Sequence, residues 1–253
     1  GFVIGPSINA SGRLEQAEWA LKMLLSHNEI EAKELAEKLN DLNKERQELT
    51  KEGLEKAIEI IEKNNMTKDK VLVVYLEDVH ESIAGIIAGR VREKYNLPTI
   101  ILTKAHDGAK GSGRSIEEYN MFEELLKCKD LLGKFGGHPM AAGMSIPNEN
   151  IDEFRSRLNN VTTLTDEDII PKVSIDMGLT LSQINYELID QISLLEPYGK
   201  ANPKPTFGMK KLKVIEAKIL GKNRNVLKLK LSDGRLYIEG IYFGDIDSFE
   251  NSI

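Results

Sequence analysis

The sequence predicts a mixed α/β domain with a long connecting helix, followed by a smaller antiparallel β domain. Three observations carry this. A highly charged stretch keeps helical periodicity from Arg13 to Ile61, a strand, a helix and a second strand follow over 71–103, and beyond residue 171 apolar and polar residues alternate between Gly, Asn and Asp turns.

The connecting region is taken as 1–67. From Arg13 to Leu25, Leu14, Ala17, Ala20, Leu21, Leu24 and Leu25 fall on one helical face, with "GPSINASGRL" (5–14) before it as an anion-seeking turn or a plain N-cap. Leu35, Leu39, Leu42 and Leu49 continue the spacing to Ile58 and Ile61, as one long helix or two in series. The α/β domain is taken as 68–160. "VLVVYLE" (71–77) suits a buried strand, "SIAGIIAGRVREKY" (82–95) a helix and "TIILT" (99–103) a second strand, together a βαβ unit. "KGSGRS" (110–115) reads as a loop, and the capping-box spacing of Ser115 and Glu118 opens a helix over 116–128. A helix at "IDEFRSRL" (151–158) and a polar linker, "NNVTTLTDEDIIP", close the domain. The β domain is taken as 171–253, with strands in "VSIDMGLTL", "MKKLKVIEAKIL", "NVLKLKLSDG" and "LYIEGIYFG". Gly1 in place of a methionine suggests a fragment, and a last strand close to Ile253 suggests that the β domain is cut short as well.

Composition removes several classes of function. At 253 residues, 41% hydrophobic and 29% charged, the chain has enough apolar surface for a real core. The single cysteine, Cys128, forbids an internal disulfide and fits a reducing, cytoplasmic compartment. No apolar run approaches the about 18 residues of a membrane span. The net charge of −6 is uneven: acids crowd 29–62, whereas 198–230 is rich in lysine. A chain with a local basic patch can bind nucleic acid whatever its total charge. The four histidines are not paired with clustered aspartates, so no metal site is expected, and no nucleophile elbow or Walker loop is present.

Two glycine-framed motifs remain, each with two readings. In "GSGRS", backbone N–H groups, Ser112, Ser115, the Arg114 fork and a following helix start would form a phosphate cradle; the alternative is a glycine turn with a capping serine. In "GGHPMAAG" (136–143), small neighbours let a ligand approach His138 closely, or His138 is a hydrogen-bonded residue of a packed turn. His80, after the first strand, sits where ligands gather or simply caps a helix.

"IGPSINASGRLEQAEWALKMLL", "HESIAGIIAGRV", "KGSGRS", "KFGGHPMAAGMSI" and "LLEPYGKANPKPTF", in that order, resemble the successive motifs of the RecJ family of single-strand-specific exonucleases in the DHH phosphoesterase superfamily. The resemblance covers essentially the whole chain and departs at Ser11, where alanine is common. It implies a DHH-associated domain and an OB-like domain, as the C-terminal part of a 5′-to-3′ exonuclease of DNA repair and recombination. Mn2+ or Mg2+ would be held by an N-terminal DHH domain that this chain lacks, so that no cofactor is expected here and the chain alone is expected to be inactive. A metal-bound hydroxide of that domain would attack the phosphodiester.

The same resemblance assigns the site. Ser112, Gly113, Arg114 and Ser115 would hold the 5′-phosphate or the adjacent backbone, and Gly136, Gly137 and catalytic His138 would face the scissile phosphate. Asn9, Arg13, His80, Arg90 and, as a weaker carry-over, Gln47 would line the strand's path. In the OB-like domain Tyr198, Lys200, Phe207, Arg224, Lys228 and Lys230 would grip single-stranded DNA by stacking and charge. The expected partner is single-stranded DNA with a 5′ end, with a single-strand-binding protein or a helicase as further candidates, no membrane contact, and a monomeric state. Two alternatives stay open: a phosphodiesterase for short oligonucleotides or cyclic dinucleotides, and a non-catalytic nucleic-acid-binding module.

Overall fold

A computed structural model describes residues 4–199, 201–221, 225–244, 246 and 249. The chain divides into two compact units, Gly1–Pro171 and Lys172–Ile253.

The first unit opens with α1 (Ile4–Leu14), α2 (Glu18–Leu25) and α3 (Glu29–Lys63). "GPSINASGRL" is therefore itself helical and not a turn, because Ser7 and Ala10 are buried and the Ser7 hydroxyl donates to Asn40 Oδ1 of α3 at 3.0 Å. The charged stretch is one helix of 35 residues, about 50 Å long at 1.5 Å per residue. Asn28 starts it by accepting from the Ile30 and Glu31 amides.

A five-stranded sheet follows in the order β1-β2-β3-β5-β4, with β1 (Leu72–Leu76) and β2 (Thr99–Ala105) parallel and joined by α4 (Glu81–Tyr95). The remaining pairs, made by β3 (Gly108–Arg114), β4 (Phe135–His138) and β5 (Ala141–Ile146), are antiparallel. Gly108 (φ +108°) turns β2 into β3; a Cβ there would lie 2.4 Å from the Ile146 carbonyl oxygen.

The strand pleat separates two cores. On one face Leu72, Val74, Leu76 and Ile101 pack with Ile83, Ile87 and Val91 of α4 and with Ala57 and Ile61 of α3. On the other, Val73, Ile100, Leu102, Ala142, Met144 and Ile146 meet α5 (Met121–Leu126) and α6 (Ile151–Val161) through Met121, Leu125, Phe154 and Leu158.

Three sequence expectations change here. "KGSGRS" is a strand, because Gly111 and Gly113 can face the second core under Met144 and Met121. Ser115 does not open a helix: its hydroxyl donates to the Tyr119 carbonyl at 2.6 Å, and Asn120 caps the shorter α5. The stretch read as a linker is docked on this unit, with Asn159 bonding the Lys70 and Val71 amides, Leu164 buried, and the Ile169 carbonyl accepting from Asn96 Nδ2 at 2.7 Å.

The second unit holds a parallel pair, β6 (Met177–Gly178) with β7 (Phe207–Gly208), the helix α7 (Tyr186–Ser193), and an antiparallel sheet in the order β10-β9-β8. The sheet strands are β8 (Lys213–Leu220), β9 (Val226–Ser232) and β10 (Tyr237–Phe243). Leu227 and Leu229 of β9 pack with Ile246 and Ile219, and Tyr242 stacks on Phe249 at 4.6 Å between ring centroids. "VSIDMGLTL" contributes only two strand residues, and α7 is an element that the alternation of the sequence does not announce.

Candidate functional site

The site grows out of the register of β3, β5 and β4. His138, Ala141 and Arg114 are opposite one another across the three strands, and two residues along lie Gly136, Gly143 and Ser112. Residues in one such row share a face, so all six lie on the face that carries α3 and α4. Two strand spacings separate His138 from Arg114, about 10 Å between backbones. Ala141 and the two glycines keep the floor between them low. A shallow cleft of about 310 Å³ continues this floor between Ser112 and Gly143 on one side and Ser82 and Ala84 of α4 on the other. The Lys110–Glu81 ion pair, 2.6 Å, lines it.

Arg114 is half-buried and its Nη1 donates to the Gly113 carbonyl at 2.7 Å. Its guanidinium lies against Gly85 of α4, where a Cβ would stand 2.6 Å from Nη2. Arg13, at the end of α1, donates from Nη1 to the Ser82 carbonyl at 2.8 Å. Arg46 of α3 donates from Nε and Nη2 to Asn43 Oδ1 at 3.1 and 2.9 Å. Each of the three cations is thus oriented by a neutral oxygen. Among the described residues none of them has a carboxylate within ion-pair distance. Burial first, and then the charge of Arg13, draw the Arg114 pKa below the usual arginine value. Burial, Arg13 and Arg90 act in the same direction on Arg46.

His138 ends β4 beside the two-residue turn Pro139–Met140, and its Nδ1 accepts from the Met140 amide at 3.3 Å. That places the proton of the neutral ring on Nε2, leaving Nε2–H as a donor on the exposed side. The turn is tied down by hydrogen bonds from the Ser115 amide to Met140 O and from the Met121 amide to Pro139 O, both 2.9 Å.

The other residues expected at the site divide sharply. Ser112 and Gly136 face the open floor, and nothing lies within 4 Å of a Cβ at Gly136. Gly113 and Ser115 do not belong to a phosphate cradle. β3 is paired on both sides, so its amides are spent in the sheet, while Gly113 faces Met121 and Ser115 is buried with its hydroxyl committed. Gly137 likewise faces its own hairpin, where a Cβ would meet Ala141 O at 2.4 Å. Asn9 and Gln47 are exposed. His80 caps α4, its Nδ1 accepting from the Ser82 amide at 3.3 Å. Arg90 is exposed and paired with Glu93 at 3.1 Å. The residue that the sequence reading missed is Arg46. Its signal was a charged residue interrupting the apolar stripe Leu39, Leu42, Leu49, where Gln47 was taken instead.

In the second unit Lys228 and Lys230 share the open face of the β8–β9–β10 sheet with Lys218, Glu216 and Glu239. Lys228 pairs with Glu239 at 2.9 Å, Lys218 with Glu216 at 2.7 Å, and Lys230 lies over the exposed ring of Tyr237 at 5.1 Å. Tyr198 spends its hydroxyl on the Ile192 carbonyl at 2.5 Å. Phe207 is half-buried and lines an apolar hollow with Leu181, Leu212 and Leu231. Lys200 and Arg224 lie outside the described residues. Among the described residues no three His, Cys, Asp or Glu side chains gather in a group fit for a metal ion, and no helix is long and apolar enough to cross a membrane.

Residues 68–163 match the family model of the DHHA1 domain, and residues 175–253 that of the RecJ OB domain. The chain is 36% identical over 247 residues to the single-stranded-DNA-specific exonuclease RecJ of Bacillus subtilis, covering 96% of this chain and 31% of the relative. To the RecJ of Salmonella typhimurium it is 31% identical, covering 96% and 44%. The crystal structure of Thermus thermophilus RecJ in complex with Mg2+ superposes with a TM-score of 0.79 at 28% identity, over 96% of this chain and 37% of that one. The chain thus spans less than half the length of these relatives. With two domain models and relatives that agree along almost all of its length, the chain belongs to the RecJ family, and what it carries is the DHHA1 and OB part of that family.

Proposed function

We propose that this chain is the substrate-holding, C-terminal part of an exonuclease that removes nucleotides from the 5′ end of single-stranded DNA. The observation that carries the reading is the pair of guanidinium groups, half-buried Arg114 and exposed Arg13, fixed on neutral oxygens beside an open floor of small residues. A cation already neutralised by a carboxylate has little left for a phosphate, whereas one held by a carbonyl keeps its whole charge and a fixed direction. Arg114 and Ser112 hold the 5′-phosphate or the adjacent backbone. His138 offers Nε2–H to an oxygen of the linkage to be cut, where charge builds up in the transition state. Arg13 and His80 border the path that the strand takes along α4. A divalent metal is the attacking group's activator in such chemistry. The described residues do not fit one, so Mg2+ or Mn2+ is assigned to another part of the enzyme.

On this reading the protein works in DNA repair and recombination in the cytoplasm, as a monomer, with a single-strand-binding protein or a helicase exposing its substrate. The buried, unpaired Cys128 suits a reducing compartment.

The test is binding of the chain to fluorescent oligonucleotides. Single strands with a 5′-phosphate are expected to bind more tightly than blunt duplexes. Arg114→Ala is expected to weaken binding of the phosphorylated end by about 10- to 100-fold, the worth of one charge-assisted bond, and of the 5′-hydroxyl end far less. Equal losses for the two ends reduce Arg114 to a general backbone contact. A preference for dinucleotides over long strands moves the reading to the short-oligonucleotide phosphodiesterases.

A further inference from the structure

We propose that Arg46 is a second phosphate-binding residue of this face, holding a backbone phosphate of the strand other than the one held by Arg114. The inference rests on the reading of the face as a single-stranded-DNA site.

It begins with an arginine where α3 calls for a leucine. Leu39, Leu42, Gly53, Ala57 and Ile61 form the buried stripe of the helix, and Arg46 falls in the same stripe, four residues after Leu42 and seven before Gly53. An arginine drawn partly out of water toward other arginines is costly unless something anionic offsets it. Intramolecular compensation is lacking: two of its donors go to Asn43 Oδ1, no carboxylate reaches it among the described residues, and its charged neighbours are Arg13 and Arg90. Nη1 and the second hydrogen of Nη2 stay available in a fork whose plane Asn43 holds. That is the geometry for a phosphate oxygen pair.

Its support sets it apart from Arg114. Arg114 reaches α4 from β3 and lies over Gly85, whereas the guanidinium plane of Arg46 is fixed on α3 by Asn43 of the same helix. Arg13, seated on the Ser82 carbonyl, adds its positive charge to the surroundings of both. The two guanidinium groups are thus held by separate elements and separate acceptors, Gly113 O and Asn43 Oδ1, so that each can take a phosphate of its own.

The test replaces single phosphates of a 5′-phosphorylated single strand with uncharged methylphosphonates, one linkage at a time, and measures affinity for the full chain. For the unaltered chain one internal linkage is expected to be sensitive, with a loss of about 10-fold. In Arg46→Gln that sensitivity disappears while the preference for a 5′-phosphate stays; in Arg114→Ala the preference disappears and the internal sensitivity stays. Arg46→Lys, which keeps the charge and loses the fork, shows a reduced sensitivity at the same linkage and serves if the glutamine variant folds poorly. An internal pattern unchanged in Arg46→Gln and Arg46→Lys, or a 5′-phosphate preference lost with Arg46, overturns the proposal. An unaltered chain that binds no single strand overturns the reading beneath it.

Discussion

Two sets of cations face open ground in this molecule, and they are held in opposite ways. In the first unit Arg13, Arg46 and Arg114 are oriented by Ser82 O, Asn43 Oδ1 and Gly113 O. On the sheet of the second unit Lys228 and Lys218 are held by Glu239 and Glu216. A neutral acceptor fixes direction and leaves the charge for a ligand. A carboxylate spends the charge and must be displaced by the ligand. The difference teaches that a basic-looking stretch is not one kind of site: on the proposed reading the arginines offer an unspent charge to a phosphate at a defined place, and the lysine sheet a loose, salt-sensitive hold on a strand.

The largest effect that separates the two comes from a residue with no side chain. Gly85→Ala puts a methyl 2.6 Å from Arg114 Nη2, at the far end of a flexible chain that can swing away. The expected result is a loss of about 10-fold or more in affinity for a 5′-phosphorylated strand, the scale of one charge-assisted bond. Thermal stability should hold or rise, because alanine is the better helix former by roughly 1 kcal/mol. A variant that binds normally shows that the seat of Arg114 on α4 is incidental. The lysine sheet is probed by Lys228→Ala with Lys230→Ala in titrations against salt. The log–log slope is expected to become shallower by about 1.4, roughly 0.7 for each phosphate contact to a single strand, with only a few-fold loss at moderate salt. A larger fall in affinity than Gly85→Ala causes would reverse the ranking of the two regions. The smallest effect is Glu239→Gln. Releasing Lys228 from its partner should tighten binding about twofold at low ionic strength and vanish at high salt. No gain at low salt means that the carboxylate does not compete with the strand.

Much of the architecture was legible because it is written in local periodicity. The stripe through Leu35, Leu39 and Leu42 announced α3, the β-branched run 71–77 announced β1, and the alternation in "NVLKLKLSDG" announced β9. "KGSGRS" was misread because glycine weakens the local signal for a strand; β3 exists since β2 and β5 pair with it from both sides and Met121 and Met144 fill the space over its glycines. Gly113 and Ser115 fell out of the site for the same reason. Arg46 was overlooked because a single charged residue in the stripe of a highly charged helix does not stand out from the solvated charges around it.

By itself the sequence determined the long helix, the βαβ unit and the alternating strands of the second unit, the family resemblance, and the identity of Arg114 and His138 as residues worth following. Helical and strand periods and a string of short motifs are properties of neighbours in the chain, and so survive in one dimension. Only the tertiary structure decided which glycines face a core and which a ligand, and which cations keep their charge. It brought Arg46 of α3 and Arg114 of β3 within the field of Arg13 of α1, residues 33 to 101 apart in sequence. A cation's remaining charge depends on whether a carbonyl or a carboxylate lies next to it, and that neighbour is supplied by packing.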